Sequence, residues 1–165
     1  MAEFTHFKND GSAVMVDVHE NPDTYRVASA TGTIYVSPEV FAAVRDHTAK
    51  KGDVLGVARL AGIMGAKKNA ELIPLCHIVP LTNCEVTFTM EEKTHTITAV
   101  CTTSCVGKTG VEMEALTGVS TALLTIYDMC KAMDRGMEIG DIHILEKDGG
   151  KSGHYIYDKE KRQEP

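Results

Sequence analysis

The sequence feature that most constrains the fold is a change in the spacing of apolar residues in the second half of the chain. Apolar residues first recur at every second position and then at every third or fourth. Two short runs alternate apolar with polar residues: Cys84, Val86, Phe88 and Met90, and then Ile97, Ala99 and Cys101. Alternation at period two is typical of strands with one buried face. The polar residues Glu91-Glu92-Lys93 indicate a turn between them, so the sequence predicts an antiparallel hairpin over about residues 82–104.

A long helix is predicted to follow this hairpin. Apolar residues then repeat at alternating spacings of three and four: Leu116, Val119, Leu123, Ile126, Cys130 and Met133. This spacing predicts one helix over about Val111 to Arg135, which Gly136 should end. A last strand is predicted from about Ile139 to Glu146, before a turn-rich segment and the short run 154–157.

The first half of the chain supplies two more strands and a helical stretch. Alternation predicts strands over Ala13–Val18 and Tyr25–Val36. Ser37-Pro38 and Asp53 are helix starts, because each offers a side-chain oxygen to free N–H groups. The second helix carries a predicted apolar stripe, with glycines suited to close packing against another backbone: Val54, Val57, Ala58, Ala61 and Met64, with Gly56, Gly62 and Gly65.

The order of these elements predicts the fold class. From Tyr25 the chain reads strand, helical stretch, strand, strand, helix, strand, which is the split βαβ order of ferredoxin-like folds. We therefore expect an α+β protein whose antiparallel sheet is covered by helices on one face, with an extra N-terminal strand. Residues 1–157 are interpreted as a single domain, and the charged residues 158–165 as a disordered tail.

Charge and hydropathy narrow the cellular setting. No apolar run approaches the roughly 18 residues that cross a membrane, and the N-terminus lacks a signal pattern, so we expect a cytoplasmic protein without a membrane partner. A net charge of -6 disfavours a nucleic-acid partner, because phosphate backbones attract an excess of Lys and Arg. An anionic small substrate would need a local basic pocket.

The five cysteines indicate neither a disulfide framework nor a metal site. Their number is odd and no Cys-x-x-Cys pair occurs, so we interpret most of them as small buried residues. A structural zinc protein remains the least favoured alternative, because the spacing of its candidate ligands fits no known closed site: Cys76, His77, Cys101 and Cys105. No bound metal is therefore expected.

Four loci carry polar residues that the fold does not require, and each has a structural alternative. Lys50-Lys51-Gly52 is either a solvated loop or part of a site. His77 lies between two apolar proline-containing runs, where a structural and a functional histidine are equally compatible. Asp128 and Lys131 share one helix face, as an exposed ion pair or as an acid–base pair.

Glycine-rich segments form the remaining locus and a further candidate. Gly107-Lys108-Thr109 lacks the earlier glycine of a phosphate loop, because Thr102 stands there. Free N–H groups at the start of the long helix still favour an anion. Glu112 and Glu114 either complement the helix dipole or hold an amino-bearing ring, and Gly149–Gly153 is a turn or a phosphate contact.

Several of these strings resemble one known family. Two carry most of the resemblance to the molybdenum cofactor biosynthesis protein C family, the cyclic pyranopterin monophosphate synthases: Leu72-Ile73-Pro74-Leu75-Cys76-His77 and the stretch from Gly107 to Thr117. The resemblance continues nearly over the whole chain: Met15–Val18, Lys51–Leu55, Ile126–Ala132 and Gly149–Gly153. One departure is Ile78, where the family usually has proline. The loss of this proline relaxes the backbone after His77.

The resemblance implies a reaction and roles for particular residues. The family converts cyclised dihydro-GTP, the (8S)-3',8-cyclo-7,8-dihydroguanosine 5'-triphosphate, to a cyclic-phosphate pyranopterin and releases pyrophosphate, which makes the expected enzyme a lyase. By matching positions, Asp128 is the catalytic acid and base, with Lys51 and Lys131 as essential amines. The implied substrate-binding residues are Leu75, Cys76, His77, Met113 and Glu114, with Glu112 and Lys147 as further candidates.

The resemblance also implies an assembly, a homohexamer built as a trimer of dimers with active sites at the dimer interfaces. No tightly bound cofactor is implied, and Mg²⁺ commonly accompanies triphosphates. The rival hypothesis is a ferredoxin-like module that binds a nucleotide without converting it, because a fold alone does not determine function.

Overall fold

The computed structural model describes residues 10–160, which form a five-stranded antiparallel sheet and four helices. In chain order the elements are β1 (Thr24–Tyr35), α1 (Pro38–Arg45), α2 (Val54–Lys67), α3 (Asn69–Leu72), β2 (Leu81–Glu91), β3 (Thr96–Gly107), α4 (Glu112–Cys130), β4 (Glu138–Asp148) and β5 (Tyr155–Ile156). The strands lie in the order β2-β3-β1-β4-β5. The predicted α+β class and the ferredoxin-like order of elements are confirmed.

The hairpin of β2 and β3 has the alternation that the sequence predicts. Val86 pairs with Cys101 and Phe88 with Ala99, so the apolar residues of both strands share one face. Val86, Ala99 and Cys101 are buried under the helices, whereas Thr87 and Thr89 are exposed. The opposite face of the sheet is rich in hydroxyl groups, and Ser29 and Thr102 hydrogen-bond across it at 2.8 Å.

Both predicted helix starts are confirmed by side-chain caps. The backbone N–H of Val40 donates to Ser37 Oγ at 3.3 Å, and Pro38 occupies the first turn of α1. The backbone N–H of Gly56 donates to Asp53 Oδ1 at 2.9 Å. Each cap satisfies an N–H group that the first helical turn leaves without a partner.

Helices α2 and α4 approach each other through small residues. A Cβ placed on Gly62 would lie 3.0 Å from the carbonyl oxygen of Gly118, and one on Gly65 would lie 2.3 Å from Thr121 Oγ1. The predicted close packing at these two glycines is confirmed. The third glycine, Gly56, is different, because its neighbour is the capping carboxylate of Asp53.

The close approach of α2 and α4 also makes the predicted apolar stripe of α2 partly wrong. The residues that α2 buries are Val54, Ala58, Gly62, Gly65 and Ala66. Val57 is 45 % exposed and Met64 57 % exposed. Because the backbones of α2 and α4 are close together, only small side chains fit between them, and the large ones lie outside.

The segment Ala13–Val18 does not form the predicted extra strand. It contains a single bridge residue at Ala13, and its residues are exposed or half-buried. The carbonyl oxygen of Val16 accepts a hydrogen bond from His77 Nε2 at 2.8 Å instead of pairing with a strand. The fifth strand of the sheet is the C-terminal β5.

Helix α4 ends five residues before the predicted end at Arg135. The N–H of Met133 donates to the carbonyl oxygen of Cys130 at 2.8 Å, which tightens the chain into a turn. Asp134 then accepts the N–H groups of Gly136 at 2.7 Å and Ser37 at 3.1 Å. This side chain draws the backbone towards α1, a long-range contact that helical spacing does not reveal. Of the predicted disordered tail, residues 161–165 lie outside the described part of the chain.

Candidate active site

Two amines bracket one carboxylate where α4 ends. Lys131 Nζ donates to Asp128 Oδ1 at 2.7 Å. Lys51 Nζ donates to the Asp128 carbonyl oxygen at 2.9 Å and to Oδ2 at 3.3 Å. Residues 128 and 131 share a face because they are three apart, whereas Lys51 comes from the turn before α2, in which Gly52 has a φ of +89°. The three residues line a cavity of about 460 Å³.

The electrostatics of this group favour the ionised forms of Asp128 and Lys131. Hydrogen bonds from Lys131 and then Lys51 lower the pKa of Asp128 below the usual carboxyl range. The hydrogen bond to Asp128 in turn raises the pKa of Lys131. The side chains of Lys51, Asp128 and Lys131 are 49 %, 59 % and 53 % exposed, so a substrate can reach them. The group therefore presents an ionised carboxylate that accepts hydrogen bonds from two lysine side chains.

A second group lies at the opposite end of α4, around His77. The segment before β1 crosses this end of the sheet, where its Val16 carbonyl oxygen accepts from His77 and its His19 carbonyl oxygen accepts from Lys108 Nζ. His77 and Lys108 line a cavity of about 250 Å³. Leu75 and Cys76 are half-buried beside them, and Ile78 is 90 % exposed.

Glu114 is an almost fully buried carboxylate in the first turn of α4. It is 4 % exposed, and Asn69 Nδ2 donates to its Oε1 at 3.0 Å. Thr117 Oγ1 donates to Asn69 Oδ1 at 2.7 Å, which fixes the orientation of the amide. Burial raises the pKa of Glu114 despite these hydrogen bonds. Sequence reasoning missed Asn69, because α3 shows no pattern that relates it to α4.

The other predicted binding residues lie near the same end. Met113 is 37 % exposed, and the Glu112 carboxylate lies against Gly110. Lys147, on β4, donates through Nζ to Ser152 Oγ in the glycine-rich turn. These residues therefore lie towards the start of α4.

Arg26 is a further residue that sequence reasoning missed. The residue is 9 % exposed, and its guanidinium donates to the carbonyl oxygens of Gly149 and Lys108, both at 3.4 Å. Within residues 10–160, its Nε has no hydrogen-bond partner. Arg26 lines a cavity of about 490 Å³ together with Lys108 and Lys151.

This arrangement at Arg26 favours an anion. Buried charges are costly unless they are paired, and the described partners of Arg26 are weak neutral acceptors. A Cβ on Gly150 would lie 1.6 Å from Arg26 Nη1, so the backbone approaches the guanidinium closely. One feature of the sequence could have pointed to Arg26. It is an arginine at a position of β1 where alternation predicts an inward side chain.

The structure thus separates the predicted site residues into two groups. The amine–carboxylate group of Lys51, Asp128 and Lys131 lies at one end of α4. The remaining predicted residues lie around the other end: Leu75, Cys76, His77, Glu112, Met113, Glu114 and Lys147. Glu114 and Asp128 are 14 positions apart in α4, about 21 Å along the helix axis. One copy of the chain does not bring the two groups together.

No zinc site is assembled from the alternative ligands. Among residues 10–160, no three His, Cys, Asp or Glu side chains are grouped so that they could hold a metal ion. Cys76, His77, Cys101 and Cys105 all lie in this range, and the structure does not group them into such a cluster. In the same range no helix is long and apolar enough to cross a membrane.

The fold and the clustered ionisable groups define an α+β protein of the ferredoxin-like class with a candidate acid–base site. The MoaC family model matches residues 15–150, and the chain belongs to this family. A cyclic pyranopterin monophosphate synthase from Clostridium botulinum is 56 % identical over 154 residues, which cover 93 % of this chain and 97 % of the relative. Residues 15–150 contain all the predicted site residues, from Lys51 to Lys147.

Proposed function

We propose that this protein is a cyclic pyranopterin monophosphate synthase of molybdenum cofactor biosynthesis. Membership of the MoaC family and the identity to the named synthase support this function. The proposed substrate is cyclised dihydro-GTP, and the proposed products are the cyclic-phosphate pyranopterin and pyrophosphate. Release of pyrophosphate with formation of a cyclic phosphate would make the enzyme a phosphorus–oxygen lyase, acting in the cytoplasm.

The observation that carries this proposal is the Asp128 carboxylate between two amines. Opening and rebuilding a ring system requires protons to move in both directions. An ionised carboxylate with a lowered pKa is available to accept a proton at neutral pH, and the ammonium groups of Lys51 and Lys131 can donate one or hold an oxyanion. The geometry thus supports the interpretation of Asp128 and Lys131 as an acid–base pair.

The cavity at Arg26 is suited to the phosphate groups of the substrate. Arg26, Lys108 and Lys151 place three cationic side chains around it, in a chain whose net charge is -6. Guanidinium and ammonium groups bind phosphate through charge-assisted hydrogen bonds. We propose that the triphosphate occupies this cavity, with Lys147 at its border and Mg²⁺ as a companion of the phosphates. Leu75, Cys76, His77, Glu112, Met113 and Glu114 then contact the ring system.

A homohexamer with active sites at dimer interfaces would unite the two groups of residues. Since about 21 Å of helix separates them in one chain, a second copy is needed to place Asp128 beside a substrate held near Arg26. Helix α2 also exposes a row of large apolar residues: Val57 at 45 %, Leu60 at 64 % and Met64 at 57 %. Exposed apolar rows of this kind mark contacts between proteins.

Product formation tests the proposed activity. Purified protein incubated with cyclised dihydro-GTP should release pyrophosphate and form a pterin that carries a cyclic phosphate. Tight binding of the substrate without either product would overturn the proposal in favour of the nucleotide-binding module. Repeating the reaction with a chelator tests the role of Mg²⁺, since a magnesium-dependent reaction would stop.

A further inference from the structure

Two cysteines approach each other on the helix-facing side of the β2–β3 hairpin, away from the amine–carboxylate group. The sulfur atoms of Cys84 and Cys101 are 3.9 Å apart. Cys84 is half-buried, whereas Cys101 is completely buried. In the register of the hairpin, Cys84 lies opposite Thr103 and Cys101 opposite Val86, so the cysteines are diagonal neighbours on one face.

The surroundings of the two thiols differ in a way that divides their roles. Cys84 lines an open cavity of about 400 Å³ whose wall includes Lys67. A hydrogen bond from the Cys101 thiol, together with the charge of Lys67, lowers the pKa of Cys84 although burial opposes it. Cys101 lies deep against α4, where a Cβ on Gly118 would be 2.5 Å from its sulfur. Cys84 is accessible and thiolate-prone, and Cys101 is shielded behind it.

We propose that Cys84 and Cys101 form a peroxide-responsive dithiol, in which Cys84 is the attacking thiol and Cys101 the resolving thiol. The inference does not depend on the proposed synthase function. Thiolate character and access determine which cysteine reacts first with an oxidant. The cavity admits hydrogen peroxide, and the second sulfur lies directly behind the first.

The chemistry balances with hydrogen peroxide as the only oxidant. The Cys84 thiolate attacks one peroxide oxygen, the O–O bond breaks, and Cys84 becomes a sulfenic acid as hydroxide leaves. The Cys101 sulfur then attacks the Cys84 sulfur, the S–O bond breaks, and the thiol proton leaves with the hydroxyl group as water. The sulfurs must approach from 3.9 Å to about 2.05 Å. Strand β2 is at the edge of the sheet and pairs with β3 alone, so the approach has to come from rotation of the two side chains and adjustment of this edge strand.

Treatment of the full-length protein with equimolar hydrogen peroxide tests the proposal. The expected product has lost two hydrogen atoms by intact mass, contains a peptide cross-link between Cys84 and Cys101, and reverts with dithiothreitol. Cys84→Ser should abolish this mass change. Cys76→Ser, which removes the other half-buried thiol, should retain it.

A second variant separates the two steps. Cys101→Ser should leave a sulfenic acid at Cys84 that dimedone traps. If this variant does not fold, competitive alkylation of the parental protein decides the same point, because Cys84 should react with iodoacetamide faster than Cys76. Oxidation that begins at Cys76, a cross-link to another cysteine, or no loss of two hydrogen atoms would overturn the proposal.

Discussion

Lys51 and Asp128 are 77 positions apart in the chain, and their contact depends on a turn and a helix end that meet only in the folded protein. Lys50, the neighbour of Lys51, also lines the cavity beside α1 that Lys51 borders, but it has no hydrogen bond to Asp128 in the described structure. Two neighbouring lysines of identical chemistry thus differ in their contact with the carboxylate. This difference provides a matched comparison for the role of the amine.

The first prediction concerns Asp128 as a proton-transfer residue. Asp128→Asn retains the size of the side chain and removes the titrating carboxylate, so turnover should fall by roughly 10²- to 10⁴-fold. The pair with Lys131 is exposed, and therefore the melting temperature should stay near that of the parent. Steady-state pyrophosphate release and thermal unfolding measure the two effects.

Lysine variants extend this prediction and provide its control. Lys51→Met should lose activity, whereas Lys50→Met should stay within a few-fold of the parent. Lys131→Met removes the largest cause of the lowered pKa of Asp128, so the acid limb of its residual kcat/KM profile should move to higher pH. A folded Asp128→Asn protein with nearly parental turnover would refute the assignment.

Glu114 illustrates how a buried carboxylate can reduce stability. Because its folded-state pKa is raised, the folded protein binds more protons than the unfolded chain between the ordinary Glu pKa and the raised one. The free energy of unfolding therefore falls as pH rises through this window, and the cost is fully present above it. Glu114→Gln should raise the melting temperature at pH 7 and lose this gain near the ordinary Glu pKa of about 4.3.

Thermal unfolding across pH checks the prediction for Glu114. Asn69 Nδ2 can still donate to the new side-chain amide oxygen, so the hydrogen bond at this position is retained. Glu112 lies two residues earlier and is more exposed, so Glu112→Gln is the matched control and should raise the melting temperature less. If the increase in melting temperature caused by Glu114→Gln became larger as the pH falls, the role of burial would be contradicted.

At the scale of elements, the crossing of α2 and α4 positions both halves of the candidate site. Small residues let the two backbones approach, and this approach sets where the turn of Lys51 and the residue Asn69 lie relative to α4. Asn69 lies two positions after the end of α2, and Lys51 lies three positions before its start. A shift of α2 along α4 would therefore disturb both groups at once.

Gly118→Ala tests how tightly this crossing is packed. Alanine favours a helix over glycine by about 1 kcal/mol, but the added methyl group would lie 2.5 Å from Cys101 Sγ and 3.2 Å from the carbonyl oxygen of Gly62. Overpacking of this kind costs about 1–3 kcal/mol, so the variant should be destabilised in urea unfolding. Leu124→Ala, on an exposed side of α4, should change the unfolding free energy by about 0.5 kcal/mol or less. A Gly118→Ala protein more stable than the parent would show that the crossing is loose.

At the scale of the whole molecule, the separation of the two residue groups makes assembly part of the proposed chemistry. Asp128→Asn and His77→Ala alter different groups at opposite ends of α4. In a shared site, one copy contributes Asp128 and the other contributes His77. A mixed dimer of the two variants would then contain one intact site and one site with both changes.

Complementation between these two variants measures whether one active site is built from two copies of the chain. After the variants are unfolded together and refolded, random mixing should restore about one quarter of the parental activity, since half of the dimers are mixed and each has one intact site. Light scattering should find a hexamer before and after mixing. Two individually inactive variants that stay inactive in confirmed mixed oligomers would place the whole site within one chain.

Local patterns were sufficient for much of the fold and for part of the site. Alternation at period two predicted the β2–β3 hairpin, and the oxygen atoms of Ser37 and Asp53 predicted two helix starts. The spacing of three predicted that Asp128 and Lys131 share a face. These features depend on neighbours within a few positions, so a single sequence contains their full cause.

Only the tertiary structure decided which distant groups meet. The contact of Lys51 with Asp128, the amide of Asn69 on Glu114 and the burial of Arg26 all depend on how α2, α4 and the glycine-rich turns pack on the sheet. Ala13–Val18 has the alternation of a strand, yet no strand pairs with it beyond the bridge at Ala13, and its carbonyl groups bind His77 and the neighbouring loop. Sequence periodicity specifies which faces are apolar, but the pairing of backbone groups and the partners of buried charges are determined by the packing of the whole fold.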